Sequence, residues 1–199
     1  MEAAVSTIVG VDLSLSATGL VTWRDGQFFV TTVVTPAGMD PPERHHLIVT
    51  RILAMACGPT LFVVEGRIDI AAKAELVDGE AKITGGLRGN TTLDLAELRG
   101  VVNYGICQYR RPRVDVHPST LKVYATGNHR ASKTSMVLAA RGWLGEHLPV
   151  TNDDEADAAW LVAMALERYA DEPLCQLPKK NRAAVAKPAW PEFTLEETP

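Results

Sequence analysis

The chain has 199 residues, of which 46% are hydrophobic and 22% charged, and its formal net charge is −4. That length holds one sizeable core rather than two full domains, and the balance excludes collagenous and disordered classes, as well as a protein that coats nucleic acid through overall basicity. Cys57, Cys107 and Cys175 are too widely spaced to read as a zinc motif or a disulfide framework. The start, MEAAVSTIV, has no secretory pattern, so a cytoplasmic protein without membrane spans is expected.

In chain order, Ile8 to Leu13 and Gly19 to Trp23 read as short strands joined by a Ser-rich turn. Gln27 to Val34 follows across Asp25-Gly26, a dipeptide that favours a tight hairpin. Pro41-Pro42 opens a segment with helical spacing at Leu47, Ile48, Ile52, Leu53 and Ala56, which Gly58-Pro59 ends. Thr60 to Val64, TLFVV, is a continuous apolar run of the kind buried on both faces of a sheet, and it terminates in Glu65. From Gly66 to Thr92 no period persists, and a long functional loop with some helix is expected. Leu93 to Tyr109 predicts a helix, Arg113 to His117 a short strand, and Pro118 to Tyr124 a brief helix. The Gly/Asn-rich loop ATGNHRASK then leads into a helix from Ser132 to Leu144, and a last helix runs from Asp154 to Tyr169. The prolines at 173, 178, 188, 191 and 199 predict a flexible tail over 171–199 carrying the basic cluster KKNR, Lys179 to Arg182, after one domain over 1–170.

This order describes an α/β fold, a mixed sheet flanked by helices, in which strand ends and helix starts meet at one edge. Two strands end in carboxylates, Asp12 and Glu65, and aspartate is depleted in strands and rarely buried without a partner. The last helix adds TNDDEADAAW, where Asp154 and Asp157, or Asp153 and Asp157, share one helical face. Alone, each acid reads as a turn residue or a favourable first-turn charge. Together they would repel unless a cation sat among them, and hard oxygen ligands favour Mg²⁺ or Mn²⁺. The usual work of such a cluster is two-metal phosphoryl transfer. From Arg110 to Arg141 the chain also carries seven Lys/Arg against the single acid Asp115, which is either a solvated face or a phosphate-facing surface.

Four stretches in this order, IVGVDLSLSATG, FVVEG, KVYATGNHRASK and DEADAAWLVAMAL, resemble the motifs of the RuvC-like Holliday-junction resolvases of the ribonuclease-H-like superfamily, in their phage-type form. The resemblance covers roughly Ile8 to Arg168. It implies a ribonuclease-H-like fold with a five-stranded mixed sheet, and a homodimer, acting in a bacterial host's cytoplasm if phage-encoded. The implied activity is Mg²⁺-dependent cleavage of branched DNA by paired nicks, with Mn²⁺ able to substitute and two ions per site. The site residues it implies are Asp12, Glu65, Asp154 and Asp157, the last two chosen because the family's helix acids are three apart. DNA contact falls to Lys122 and Lys133, with Arg130 added on charge alone. No nucleotide cofactor is implied. Leu13-Ser14 stands where cellular members have Pro-Gly, and GRIDIAA after Glu65 lacks the aromatic that cellular resolvases place there. Flaps and forks therefore join four-way junctions as expected substrates, and Arg67 and Arg88 become candidate DNA contacts. The alternatives are an actin-like or sugar-kinase-like ATPase, for whose second copy of the fold 199 residues leave no room, and a catalytically inactive branched-DNA-binding protein, which predicts missing acids.

Overall fold

A computed structural model describes residues 6–66, 73–77, 80–84, 90–145 and 147–195. Strands β1 (Thr7–Asp12), β2 (Ala17–Arg24) and β3 (Gln27–Val34) form an antiparallel meander. Asp25 and Gly26, at φ 51° and 72°, make the turn between β2 and β3, the left-handed pair that matches the twist of a two-residue hairpin. Helix α1 (Pro41–Ala54) carries the chain back to β4 (Thr60–Glu65), which lies parallel to β1. Beyond it come β5 (Lys73–Val77), β6 (Glu80–Thr84) and helix α2 (Asn90–Gln108). Strand β7 (Arg113–Val116) then joins parallel to β4. The sheet order is β3-β2-β1-β4-β7, the five-stranded mixed sheet expected. Helices α3 (Pro118–Thr126), α4 (Lys133–Trp143) and α5 (Asp153–Tyr169) complete the domain.

The period of two along β1 and β4 divides the core. Val9, Val11, Phe62 and Val64 face α1 and α2, where they pack with Ile48, Ile52, Leu98, Val102 and Ile106. Ile8, Leu61 and Val63 face the other way, toward α3, α4 and α5, with Tyr124, Met136 and Trp160. Asp12 and Glu65 continue this second set, so both carboxylates belong to the α5 side. Helix α5 lies very close to the sheet, because glycines stand where it crosses. A β-carbon at Gly10 would come 2.2 Å from the carbonyl oxygen of Ala158, and one at Gly19 would come 2.1 Å from that of Asp154. Residues 154 and 158 are one helical turn apart, so two glycines on neighbouring strands receive one face of α5 and set the depth at which Asp154 sits.

Two expectations are corrected. The stretch from Gly66 to Thr92, expected as a loop with some helix, contains the antiparallel β5–β6 ribbon and the first turn of α2. Its mixed composition hid a two-stranded unit, whose partner strand is local and whose alternation is too short to stand out. Arg67 and Arg88 lie outside the described residues. The C-terminal segment, expected as a flexible tail, is packed against the domain over its described length. It forms a short helix α6 (Lys179–Arg182) and a 3-10 turn (Ala183–Ala186), and it buries Cys175, Leu177, Asn181, Ala184 and Val185. Tyr169 stacks edge-on with Trp190 and Phe193, and its hydroxyl donates to the carbonyl of Pro191 at 2.7 Å. The prolines break helix without preventing burial, and the apolar residues between them were the signal. Among the described residues no helix is long and apolar enough to cross a membrane.

Candidate active site

Asp12 and Glu65 end adjacent parallel strands. The β1–β4 register pairs Val11 with Val64, and the next step along both strands brings the two acids side by side. Side by side, each carboxyl acts on the other, the contact raising Asp12 and lowering Glu65. Burial first, then the charges of Glu65 and Asp157, that contact and Asp154, hold Asp12 well above the usual carboxylate range. Burial also raises Glu65, partly offset by the contact with Asp12 and by Arg99, Lys122 and His117.

Helix α5 delivers the other pair. Asn152 caps it, its side-chain oxygen accepting from the backbone N–H of Glu155 at 2.9 Å. The exposed amides of that first turn favour the acids at 153–155, and the acids then divide by role. Glu155 accepts from the Thr151 hydroxyl at 2.6 Å and amide at 2.8 Å and from Thr32 at 3.2 Å. Burial would raise its pKa, but these bonds outweigh it and lower the value, so Glu155 ties α5 to the edge strand β3. Asp153 is ion-paired to Lys133 at the start of α4. Asp154, set over Gly19, and Asp157, one turn further in, face the strand-end pair. Asp157 is pushed up to about 7, by burial and then by the charge of Glu65. Its Oδ1 is buried and has no hydrogen-bond partner among the described residues.

The structure thus sets Asp12 and Glu65 side by side at the strand ends, with Asp154 and Asp157 of α5 near enough for their charges to raise Asp12, the four drawn from three separate stretches of sequence. Among the described residues, no three Asp, Glu, His or Cys side chains are already gathered tightly enough to form a finished cage for a metal. Like charges hold one another apart without a cation, and Mg²⁺ characteristically takes one or two carboxylates, keeping waters and substrate phosphate for its other positions. An all-oxygen donor set and an orphaned buried carboxylate oxygen fit such an ion.

The expected cations are placed unevenly. Lys122, on α3, acts electrostatically on both Glu65 and Asp157. Lys133 is exposed, but its ammonium is engaged by Asp153. Arg130 is exposed in the α3–α4 loop, where its amide donates to Asn128. Two groups near the acids escaped the sequence reading. Arg99 of α2 donates to the carbonyl oxygen of Glu65, fixing the end of β4, and His117 caps α3 by accepting from the amide of Ser119. The available signal for Arg99 was a cation set in the apolar stripe Leu95, Leu98, Val102 and Ile106.

With the geometry in place, known proteins provide a comparison. No family model matches the chain. In sequence it is similar to the crossover junction endodeoxyribonucleases RuvC of Prochlorococcus marinus (strain MIT 9211), 32% identical over 82 residues, and of Anaeromyxobacter sp. (strain K), 31% identical over 109 residues. These matches cover 41% and 54% of this chain, and the chain spans only 50% and 58% of those relatives' own length. In fold it is similar to Thermus thermophilus RuvC, with a TM-score of 0.57 at 19% identity over 81% of this chain and 95% of that one. The same protein in complex with a Holliday junction substrate matches with a TM-score of 0.55 at 18% identity, over 82% and 95% of the two chains. The shared architecture is the ribonuclease-H-like α/β fold.

Proposed function

We propose that this chain, RuvC-like in fold and in part of its sequence, is a metal-dependent, structure-selective endonuclease that nicks branched DNA. The observation that carries the reading is the placing of Asp12, Glu65, Asp154 and Asp157 at one sheet edge, with a buried carboxylate oxygen of Asp157 left unpartnered among the described residues. Structural acids would be expected to be paired, as Asp153 and Glu155 are.

In this reading the four carboxylates hold Mg²⁺, with two ions per site and Mn²⁺ able to replace it. When bound, the metal polarises the scissile phosphate, lowers the pKa of the attacking water and stabilises the leaving oxygen. The chain's own residues do the rest. Arg99 anchors the strand end that carries Glu65, the two glycines under α5 set the height of Asp154, and Lys122 offers positive charge where a phosphodiester would enter. Lys122 and Arg130 serve the DNA backbone directly and Lys133 by covering the charge of Asp153, which makes binding salt-dependent and carries no base sequence. Four-way junctions, flaps and forks are the substrate class, and a cytoplasmic homodimer supplies the paired nicks.

The test is nicking of labelled four-way, flap, fork and linear DNA by the purified protein, with and without Mg²⁺. Mg²⁺-dependent cuts confined to branched substrates are expected. No nicking of any branched substrate would overturn the reading, and ATP hydrolysis independent of DNA would favour a kinase-like one.

The Lys133–Asp153 pair makes a separable prediction. The pair is largely exposed and contributes less than about 1 kcal/mol to stability, so its effect on DNA is mainly one of local charge. Lys133→Ala is expected to weaken junction binding and flatten its salt dependence, because Asp153 is then uncovered beside the DNA path. Adding Asp153→Asn should recover most of the affinity in a binding titration. No recovery would make Lys133 a phosphate ligand in its own right.

A further inference from the structure

The C-terminal segment brings its charges to a particular place. Asn181 is buried and its side-chain amide donates to the carbonyl oxygen of Tyr124 at 3.0 Å, latching α6 to the end of α3. Ala184 and Val185 then insert into the core beside Leu121, Tyr124 and Trp160. The latch sets Lys180 directly over Gly127, where a β-carbon would lie 3.1 Å from its Cε and 3.4 Å from its Nζ. Gly127 is the left-handed cap of α3, at φ 75°, so one glycine both ends the helix and leaves room for the lysine. The α3–α4 loop continues through Asn128 and His129 to Arg130, all exposed.

The neighbouring charges are unevenly engaged. Arg182 is held by Glu167 and Lys133 by Asp153, whereas Lys179 and Lys180 are exposed and take part in no ion pair among the described residues. Net negative charge overall makes such a local positive patch more conspicuous. Its distance from the carboxylates is set by α3. That helix follows directly on β7, whose Val116 pairs with Glu65, and its nine residues span about 13 Å at about 1.5 Å each. Phosphates on one strand of duplex DNA are spaced about 3.4 Å along the axis, so on the nuclease reading a strand running the length of α3 would pass a few phosphates between the carboxylates and the patch.

We propose that Lys179 and Lys180, latched by Asn181 onto the α3–α4 loop, form with Arg130 a second phosphate-binding patch that grips the duplex arm leading away from the carboxylate site. This rests on the nuclease reading and adds to it a role for the C-terminal segment. The patch neutralises backbone phosphates, recognises no base sequence, and contributes to affinity without taking part in bond cleavage.

The test is Lys179→Gln/Lys180→Gln in the full chain, measured by junction binding as a function of salt and by single-turnover nicking at saturating DNA. The slope of log affinity against log salt is expected to fall in magnitude by about 1 to 2, at about 0.9 for each phosphate no longer neutralised, with the saturated nicking rate and the melting temperature retained. Lys180→Glu should weaken binding further. An unchanged slope in the double variant, with the wild type still nicking branched DNA, overturns the patch alone. Failure of the wild type to nick any branched DNA overturns the nuclease reading beneath it.

Discussion

Asp154→Asn is expected to abolish nicking of every branched substrate while leaving junction binding intact or slightly tighter. The side chain keeps its size and loses a charge that a metal ion would need, and the lost charge had repelled phosphate. Loss of an outer-shell partner of a metal site already costs about 10–100-fold, so removal of a direct ligand should cost more than about 100-fold in single-turnover nicking. Asp12→Asn should behave the same way. Asp153→Asn should not, because the structure gives Asp153 to Lys133. Lost binding in Asp154→Asn would show that the residue supports the fold, and retained nicking would remove it from the site.

The second large effect is on stability in the absence of metal. Asp157 has its pKa pushed from 3.8 to about 7, by burial and then by the charge of Glu65, and Asp12, Glu65 and Asp154 are raised as well. Between those two pH values the folded chain holds a proton that the unfolded chain has released, so metal-free stability falls as pH rises from about 4 to about 7. A tenfold change in proton affinity is worth about 1.4 kcal/mol, so ionised Asp157 costs the metal-free fold on the order of a few kcal/mol. With EDTA, the melting temperature should drop across this range, and Mg²⁺ should restore it at pH 8. Asp157→Asn should be inactive yet melt about 5–10 °C higher than wild type at pH 8 without metal, with a flatter pH profile. Identical pH profiles for the two proteins would show that Asp157 is solvated and no part of a cation site.

The residues behind these two effects differ in legibility. Asp12 and Glu65 were visible because each ends an apolar run, where a carboxylate is out of place. The acids of α5 were visible as a group, but TNDDEAD offers Asp153, Asp154, Glu155 and Asp157 in a row. The family resemblance picks Asp154 and Asp157, and the packing supplies the physical distinction: Glu155 is taken up by Thr151 and Thr32, Asp153 by Lys133, and Asp154 is set against β2 by the absence of a side chain at Gly19. The same limit applies to the basic loop. Lys133 read as a free cation because its partner lies twenty residues away in sequence, across the α4–α5 connection.

The C-terminal segment shows how local rules mislead. Five prolines argued for a tail because proline removes a backbone donor and ends helices, yet order here comes from side-chain burial against α3 and α5, which no local rule detects. Arg99 and His117 were missed for a related reason, since each matters through the single strand end it stands beside.

The sequence by itself determined the order of the five strands of the main sheet and of the helices packed on it, and the placing of carboxylates at strand ends, because hydrophobic period and turn chemistry act over a few residues. Tertiary structure alone decided which acids of α5 are taken up by neighbours, which cations are already paired and where the C-terminal lysines stand. Those are properties of distance and burial between segments far apart in the chain, and charge interactions depend on both.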